Sequence, residues 1–462
     1  MSLSISGLNA NVSGGEIFIK VPNNNYYVLL ANHLNFNELY EILEPELKKT
    51  KNGAFQKGRK LTVRIHIGIL ILQCLTKLTD RQISDNLSLN AAFQIFCGLQ
   101  NVDKWHVPHY SKIEEFRNRF SPSTHHKISQ FILKTVRKLG YTNGETTDSD
   151  STIMEANMAY PSDAQLLVKL TNYAAKSCLV LKRFKHNLII KPKEIKAKSK
   201  EYFFLAKKTA KNIKKIVFKE LHKLVMEQVL PVIDFVTEVT SNKMNVFTNR
   251  NKVLFEKLLK GMKYLQDVAK FIRTQKIEKS KILSFNLNQV ACISKGKLGK
   301  NLEFGRVFQL SRLDGNYMMI LKANDVLQSD KSAIPKVIYA HRNIYGAGIL
   351  KNISADKGYH SDKNRTALKR AGIEDGIQRP SNSKILGLLS KERKEELYNR
   401  RAGIEPLIGH VKNFGLRRSK MKSDTTIEAS AYRSVIGFNL NQLIREFEIT
   451  GENKYTQKIL LA

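Results

Sequence analysis

Residues 398–412 have the sequence YNRRAGIEPLIGHVK, which contains four side chains suited to holding metal and phosphate. Their spacing of three, four and seven residues places them on one face of a helix: Tyr398, Arg401, Glu405 and Lys412. A carboxylate beside two cations and a phenol can bind a metal ion and clamp a phosphodiester. The alternative is an ordinary surface stripe with an internal salt bridge.

Two further acids lie where strands are predicted. Asp150 falls within the β-branched stretch 146–155, and Asp356 ends a short strand, 350–356, before a loop that contains glycine. Phosphodiester cleavage needs charge neutralised on the attacking and leaving oxygens, which two Mg²⁺ ions do in many nucleases. Because Mg²⁺ keeps several waters, three carboxylates can suffice. We therefore predict Asp150, Asp356 and Glu405 as catalytic ligands of two Mg²⁺ ions, with Mn²⁺ as a substitute.

The pattern Tyr-x2-Arg-x3-Glu-x6-Lys resembles the signature of insertion-sequence transposases with an RNase H-like DDE core, named for its two aspartates and one glutamate. Asp-Ser-Thr at 150–152 and Ala-Asp-Lys-Gly-Tyr at 355–359 are similar to the family's first and second carboxylate blocks. Asp148 shares a strand face with Asp150 and stays an alternative first ligand. Asp150 is preferred because it directly precedes Ser-Thr, as in the family pattern.

The resemblance implies an α/β fold: an RNase H-like mixed sheet flanked by helices, with an N-terminal all-helical DNA-binding domain and a long helical insertion in the core. We place the N-terminal domain at residues 1–139 and the first part of the core at 140–165. The basic helical insertion covers 166–285, and the remainder of the core covers 286–462. Similar motifs extend from about residue 55 to about residue 445.

Several elements follow from local patterns. A nearly continuous apolar run predicts a buried helix at 63–78, and Thr79 is typical of the cap of the next helix. A capping box at 111–114 predicts another helix start. Strands are predicted at 302–313 and 317–323, joined by a hairpin turn, and a helix at 391–414. Pro406 should kink or restart that last helix beside Glu405.

The charge balance indicates a polyanionic partner. Lysine and arginine number 77 against 41 acids, a formal net charge of +36. Residues 181–219 hold fourteen of these cations and two glutamates, with apolar residues between them, which predicts an amphipathic basic helix. We interpret it as an arm that contacts phosphate, the alternative being a solvated helix face. Its predicted DNA contacts include Lys207, Lys208, Lys211, Lys214 and Lys215.

Short helices in the N-terminal region, the later one carrying Arg117 and Arg119, fit a helix-turn-helix module, and both arginines are predicted to contact DNA. Any small helical bundle would give the same pattern. No secretory signal opens the chain, and its most apolar stretch, 65–75, is too short to cross a bilayer. We therefore expect a cytoplasmic protein that is associated with DNA and has no membrane partner.

The resemblance implies a DNA transposase that nicks transposon ends by hydrolysis and joins the freed 3′-hydroxyl to target DNA. Its partner would be double-stranded DNA, both ends and target, and we expect a homo-oligomer on those ends. Arg401 and Lys412 would hold the backbone near the scissile bond, with Tyr398 packed beside it. The alternatives are a catalytically inactive DNA-binding descendant of a transposase and a DDE-type nuclease without strand transfer.

Overall fold

The structure is a computed structural model that describes residues 21–47, 60–98, 107–182, 188–205, 211–278, 280–294, 302–323, 329–380 and 389–459. The α-helices of these residues are α1 (Tyr26–His33), α2 (Phe36–Leu47), α3 (Lys60–Thr76), α4 (Asp80–Leu89), α5 (Ala91–Phe96), α6 (Tyr110–Arg117), α7 (Pro122–Lys138), α8 (Asp163–Leu181), α9 (Pro192–Leu205), α10 (Lys211–Lys243), α11 (Asn249–Thr274), α12 (Ile334–Tyr345), α13 (Asp362–Ala371), α14 (Lys391–Ala402), α15 (Ile404–Val411) and α16 (Asp424–Ile459). The strands are β1 (Thr146–Glu155), β2 (Ala291–Ser294), β3 (Leu302–Leu313), β4 (Met318–Ile320), β5 (Asn352–Ala355) and β6 (Glu374–Ile377).

The strands form one mixed sheet in the order β2-β3-β1-β5-β6, with β4 paired to β3. Strand β1 is antiparallel to β3 on one side and parallel to β5 on the other. Four helices, α8 to α11, lie between β1 and β2 in the chain, which confirms the predicted helical insertion. The α/β fold with a mixed sheet and an N-terminal helical region is therefore the predicted one.

Each face of the sheet packs on its own set of helices. Residues that alternate along a strand point to opposite faces. One face, which includes Met154 and Leu310, packs against α15 and part of α16. The opposite face, which includes Ile353, joins α12, α13 and the N-terminal helices in a larger core. Asp148 and Asp150 are an even number of residues from Met154 on β1, so they point to the same face as Met154, the face that α15 covers.

The N-terminal helices confirm one predicted cap and correct another. Thr79 caps α4, and it forms a reciprocal capping box with Gln82. The box expected at 111–114 is wrong, because α6 begins at Tyr110 and its cap is His109, whose side chain accepts from the backbone N–H of Ser111. Serine also occurs inside helices, so the spacing of Ser and Glu alone did not locate the start.

In the part of the chain that the structure describes, no helix has the length and apolar character needed to span a membrane.

The insertion has a hydrophobic core of its own, built from α8, α9, α10 and α11. The single amphipathic helix expected across 181–219 is wrong, because residues 188–191 are not helical and α9 begins only at Pro192. Of the lysines predicted to contact DNA, Lys215 is exposed and Lys214 lies over the ring of Tyr202 at 5.0 Å. Lys207, Lys208 and the side chain of Lys211 lie outside the described residues.

Candidate active site

Asp150 and Asp356 lie side by side on the neighbouring strands β1 and β5, at the point where β5 ends. Ser149 of β1 pairs with Ala355 of β5 in parallel register, and the two aspartates are the next residues along each chain. Asp356 also caps a short 3₁₀ turn, because its Oδ1 accepts from the backbone N–H of Gly358 at 2.9 Å. Strands β1 and β5 are thus neighbours, as the chain order predicts, and both carboxylates are held on regular backbone.

The surroundings of Asp150 disfavour a negative charge on its carboxylate. The pKa of Asp150 is raised to about 6, mainly by burial and also by the nearby carboxylates of Asp356 and Asp330, against the opposing effects of the Ser151 N–H and the cation of Arg401. Carboxylates crowded together in this way gain most from a cation placed between them. The pair therefore has the chemistry of a site for a hard divalent cation.

Glu405 approaches from α15, which packs on β1 and β3. Its carboxylate accepts from Arg401 at 2.8 Å, and its side chain is 64% exposed. Within the described residues, no three His, Cys, Asp or Glu side chains come close enough together to hold a metal ion. The structure therefore pairs Glu405 with Arg401 instead of joining it to the two aspartates.

The helix predicted at 391–414 is divided. Helix α14 ends at Ala402, α15 restarts at Ile404, and a π-helical turn begins at Lys412, so the restart expected beside Pro406 is confirmed. Gly403 lies at the break, where an added Cβ would collide with the guanidinium of Arg312. The four residues of the 398–412 motif therefore lie on three successive helical segments, although Arg401 and Glu405 still meet across the break, at 2.8 Å.

Asp148 belongs to a different arrangement. Its side chain is fully buried, accepts from Arg400 Nε at 3.3 Å and lies 3.7 Å from Arg312 Nη1. Arg312 also donates to the carbonyl of Arg400 at 3.0 Å, and Arg400 reaches Asp314. Asp148 thus ties the end of α14 to the sheet, which supports Asp150 as the ligand.

Asp330 was not predicted from the sequence, yet it lies beside the aspartate pair. Its carboxylate accepts from Gln309 and lies 3.4 Å from Ser151 Oγ, and the buried Tyr359 donates to the same Gln309. Burial and Asp356 raise its pKa. Asp330 begins a short 3₁₀ turn just before α12, where an acid is ordinary, so the sequence gave no reason to single it out.

We expect Asp330 to position the site through Gln309 and Ser151. Asp330→Ala removes the acceptor and should slow DNA nicking by about 10- to 100-fold, as is typical of groups that orient metal ligands. Asp330→Asn keeps a carbonyl for Gln309 and should restore most of the rate. Single-turnover nicking assays compare the two variants. If the Asn variant is as slow as the Ala variant, the carboxylate itself contacts the reacting centre.

The remaining residues predicted to contact DNA differ in their ion pairs and in their burial. Arg117 forms a two-pronged ion pair with Asp80, and Arg119 pairs with Glu115. Tyr398 and Lys412 are half-buried on α14 and in the π-helical turn. The assignment of these residues, and of the three carboxylates, stays a prediction.

Two family models match this chain. Residues 16–119 match one described as a transposase domain (DUF772), and residues 313–440 match one described as a transposase DDE domain. The second match contains Asp356 and Glu405, and the first covers most of the N-terminal helices. No curated protein and no solved structure matches the chain.

The match to a transposase DDE domain makes the chain an enzyme of the DDE class that acts on DNA. The chain belongs to the DDE insertion-sequence transposases. It is therefore a transposase, an enzyme related in its activity to nucleases. Its family generally uses divalent metals and binds DNA.

Proposed function

We propose that this transposase nicks DNA at insertion-sequence ends with Mg²⁺ and then joins the freed 3′-hydroxyl to target DNA. The observation that carries the proposal is the pair of carboxylates on adjacent parallel strands, Asp150 and Asp356. The pair lies on the sheet face covered by α15, the helix that bears Glu405. Cleavage without joining, and binding without cleavage, are the two competing outcomes.

The residues present fit a divalent metal. All three candidate ligands offer carboxylate oxygens, which Mg²⁺ and Mn²⁺ accept. Asp150 and Asp356 repel each other in a partly buried setting, and a cation would remove that cost. Glu405 is exposed on its helix and would complete the set by leaving Arg401. When bound, the metal would activate the attacking oxygen and stabilise the leaving one.

Arg401 links metal binding to DNA binding in this proposal. Its Nη2 donates to Glu405, while its Nε is buried and has no hydrogen-bond partner among the described residues. If Glu405 turned to a bound metal, the guanidinium would be free to donate to two oxygens of one phosphate. The ion pair of Arg401 and Glu405 therefore represents a resting arrangement, which substrate and metal would exchange for their own contacts.

The partner in the proposal is double-stranded DNA, first the transposon ends and then the target, with a homo-oligomer assembled on the ends. The formal net charge of +36 provides the long-range attraction. The exposed Lys215 on α10 is one of the cations that the basic insertion offers to phosphate. Lys412 and Tyr398, which flank the acidic centre, would steady the backbone near the cut.

The test uses the unmutated protein and a duplex that carries one terminal inverted repeat of the element. We expect nicking at the repeat with Mg²⁺ or Mn²⁺, none with EDTA, and joined products when plasmid target is added. Nicked ends without joining would indicate a nuclease. A specific gel shift without any nicking, in either metal, would indicate an inactive DNA-binding descendant.

A further inference from the structure

A basic strip leads away from the candidate active site. Residues 412–422, between α15 and α16, contain five lysines and arginines and no acid. The strip is fixed to the end of β1, because Ser419 N–H donates to the Glu155 carbonyl at 2.8 Å and Glu155 N–H donates to the Arg417 carbonyl at 3.1 Å. The backbone of the strip is therefore fixed to the strand that carries Asp150.

The strip ends in a cleft of about 950 Å³ between the N-terminal helices and the start of α16. One wall is the turn from α6 to α7, which includes Ser121 and His125, and the other is the end of the strip with the first turns of α16. Lys420 and Lys422 are exposed at the rim. Within the described residues, neither lysine forms an ion pair with a carboxylate.

Arg433 and His125 line the cleft without an acidic partner. Arg433 Nη1 lies 3.4 Å from His125 Nε2, and among the described residues the arginine forms no ion pair. His125 is 1% exposed, and its Nδ1 has no hydrogen-bond partner there. Burial lowers the pKa of both groups, and for Arg433 the nearby cation of Arg117 adds to this while Asp80 opposes it. A guanidinium that is removed from water and has no carboxylate partner is strongly stabilised when an anion binds to it.

The first turn of α16 lines the same cleft as Arg433. Ser423 Oγ accepts from the Thr426 N–H at 3.3 Å, so the helix begins in the cleft. The hydroxyls of the exposed Thr425 and Thr426 bond to Ser423, and the positive end of the helix dipole faces the cleft.

The acids of the cleft occupy its other end, and most of the remaining charges are paired. Glu46 accepts from both the N–H and the hydroxyl of Ser121, the cap of α7, so its carboxylate is already hydrogen-bonded. Arg117 is neutralised by Asp80, and Arg119 by Glu115. Glu114 is the other acid of the lining. Beyond these pairs, Lys420, Lys422 and Arg433 outnumber the two glutamates of the lining, so the cleft keeps a net positive charge.

We propose that DNA flanking the cut site follows the basic strip and places one backbone phosphate in this cleft, against Arg433 and the start of α16. This inference rests on the proposed function, since it extends the same DNA path. The phosphate would bridge the N-terminal helices and the catalytic half of the chain. Because the contacts are to the backbone, they add affinity without sequence preference.

The experiment measures binding in EDTA, where no cleavage occurs. Fluorescence anisotropy follows a terminal-repeat duplex and a scrambled duplex of equal length over a range of KCl concentrations. Removing two phosphate contacts with Lys420→Gln/Lys422→Gln should lower the slope of log K against log salt by about 1 to 2. The loss of affinity should be equal for both duplexes. Arg433→Gln should weaken binding further, and Arg433→Lys should restore part of it.

The matched control is Lys336→Gln/Lys369→Gln, which removes two exposed lysines on α12 and α13 and should leave the slope nearly unchanged. Hydrogen exchange gives a second readout, because DNA should protect the amides of residues 420–427 in the unmutated protein only. Equal slopes in the cleft and control variants, with no protection, would overturn the proposal. A changed sedimentation coefficient in DNA-free protein with an unchanged slope would instead point to a protein contact, and would overturn it too.

Failure of the proposed function is distinguishable. A protein that binds as described but never nicks DNA leaves the cleft in place and removes the catalytic proposal. A protein that nicks and joins normally, while its cleft variants bind like the control, removes the cleft alone.

Discussion

Asp150→Asn, Asp356→Asn and Glu405→Gln should each abolish metal-dependent nicking of a terminal-repeat duplex while leaving its gel shift intact. Each change replaces a carboxylate with an amide of the same shape, which is a poor ligand for Mg²⁺. With two carboxylates left, the metal is no longer held, and we expect the rate to fall about 10³-fold or more, or about 4 kcal/mol on the barrier. DNA binding survives because it depends on the basic surfaces.

A melting experiment tests the metal site without any catalysis. Asp150 binds its proton more tightly in the folded protein, with a pKa of about 6, so at pH 7 its ionised form costs stability. In EDTA, Asp150→Asn should therefore raise the free energy of unfolding by about 1–2 kcal/mol, after allowance for solvent screening. Adding Mn²⁺ should then raise the melting temperature of the unmutated protein but not that of the variant.

Glu395→Gln is the matched control, because Glu395 is an exposed acid on α14 near the same motif. It should change neither nicking nor the response to metal. Full nicking by all three site variants would remove this active site. Loss of nicking with an unchanged response to Mn²⁺ would keep the residues in catalysis but place the metal elsewhere.

The fold was largely predictable because its long strands have strong local patterns. Strands β1 and β3 were predicted with the bounds that the structure gives them. Strand β6 was not predicted, because four residues, Glu374 to Ile377, are too few for an alternation to stand out. The interruption of the basic stretch before α9 was missed for another reason. Charged and apolar residues continue through 188–191, so the pattern predicted a helix across residues that are not helical.

The candidate site was predictable only as far as backbone order determines it. Neighbouring strands β1 and β5 bring Asp150 and Asp356 together, and the motif around Glu405 identified the helix that faces them. The remaining features depend on side-chain contacts between distant parts of the chain. Asp330 meets Ser151 from 179 residues away, and no local pattern encodes that meeting. The pairing of Glu405 with Arg401 is local, but a metal-binding role predicts the opposite orientation.

Asp148→Asn should mainly affect stability, and should do so more than any exposed acid. Asp148 has no exposed side-chain surface, whereas Arg400 and Arg312 are 23% and 22% exposed. Burial raises the pKa of Asp148 even though both arginines oppose it, so the charge is costly on its own and its contribution is to neutralise two guanidiniums. Breaking a fully buried pair costs about 3–5 kcal/mol, and the partial exposure of the arginines reduces our expectation to about 2–3 kcal/mol. Urea denaturation measures this loss in the free energy of unfolding.

Glu115→Gln provides the matched control. Glu115 also contacts two cations, Lys112 at 3.0 Å and Arg119 at 2.8 Å, but its side chain is 47% exposed, so the same chemical change should cost at most about 1 kcal/mol. At a temperature where the Asp148→Asn protein is folded, this variant should still nick DNA, at a rate about 10-fold below that of the unmutated protein. The reason is that the end of α14, which carries Arg401, is less firmly held. If Asp148→Asn abolished nicking without loss of stability while Asp150→Asn remained active, the first ligand would be Asp148. The arginines that surround it argue against that outcome, since a carboxylate already neutralised by two guanidiniums has little left to offer a metal ion.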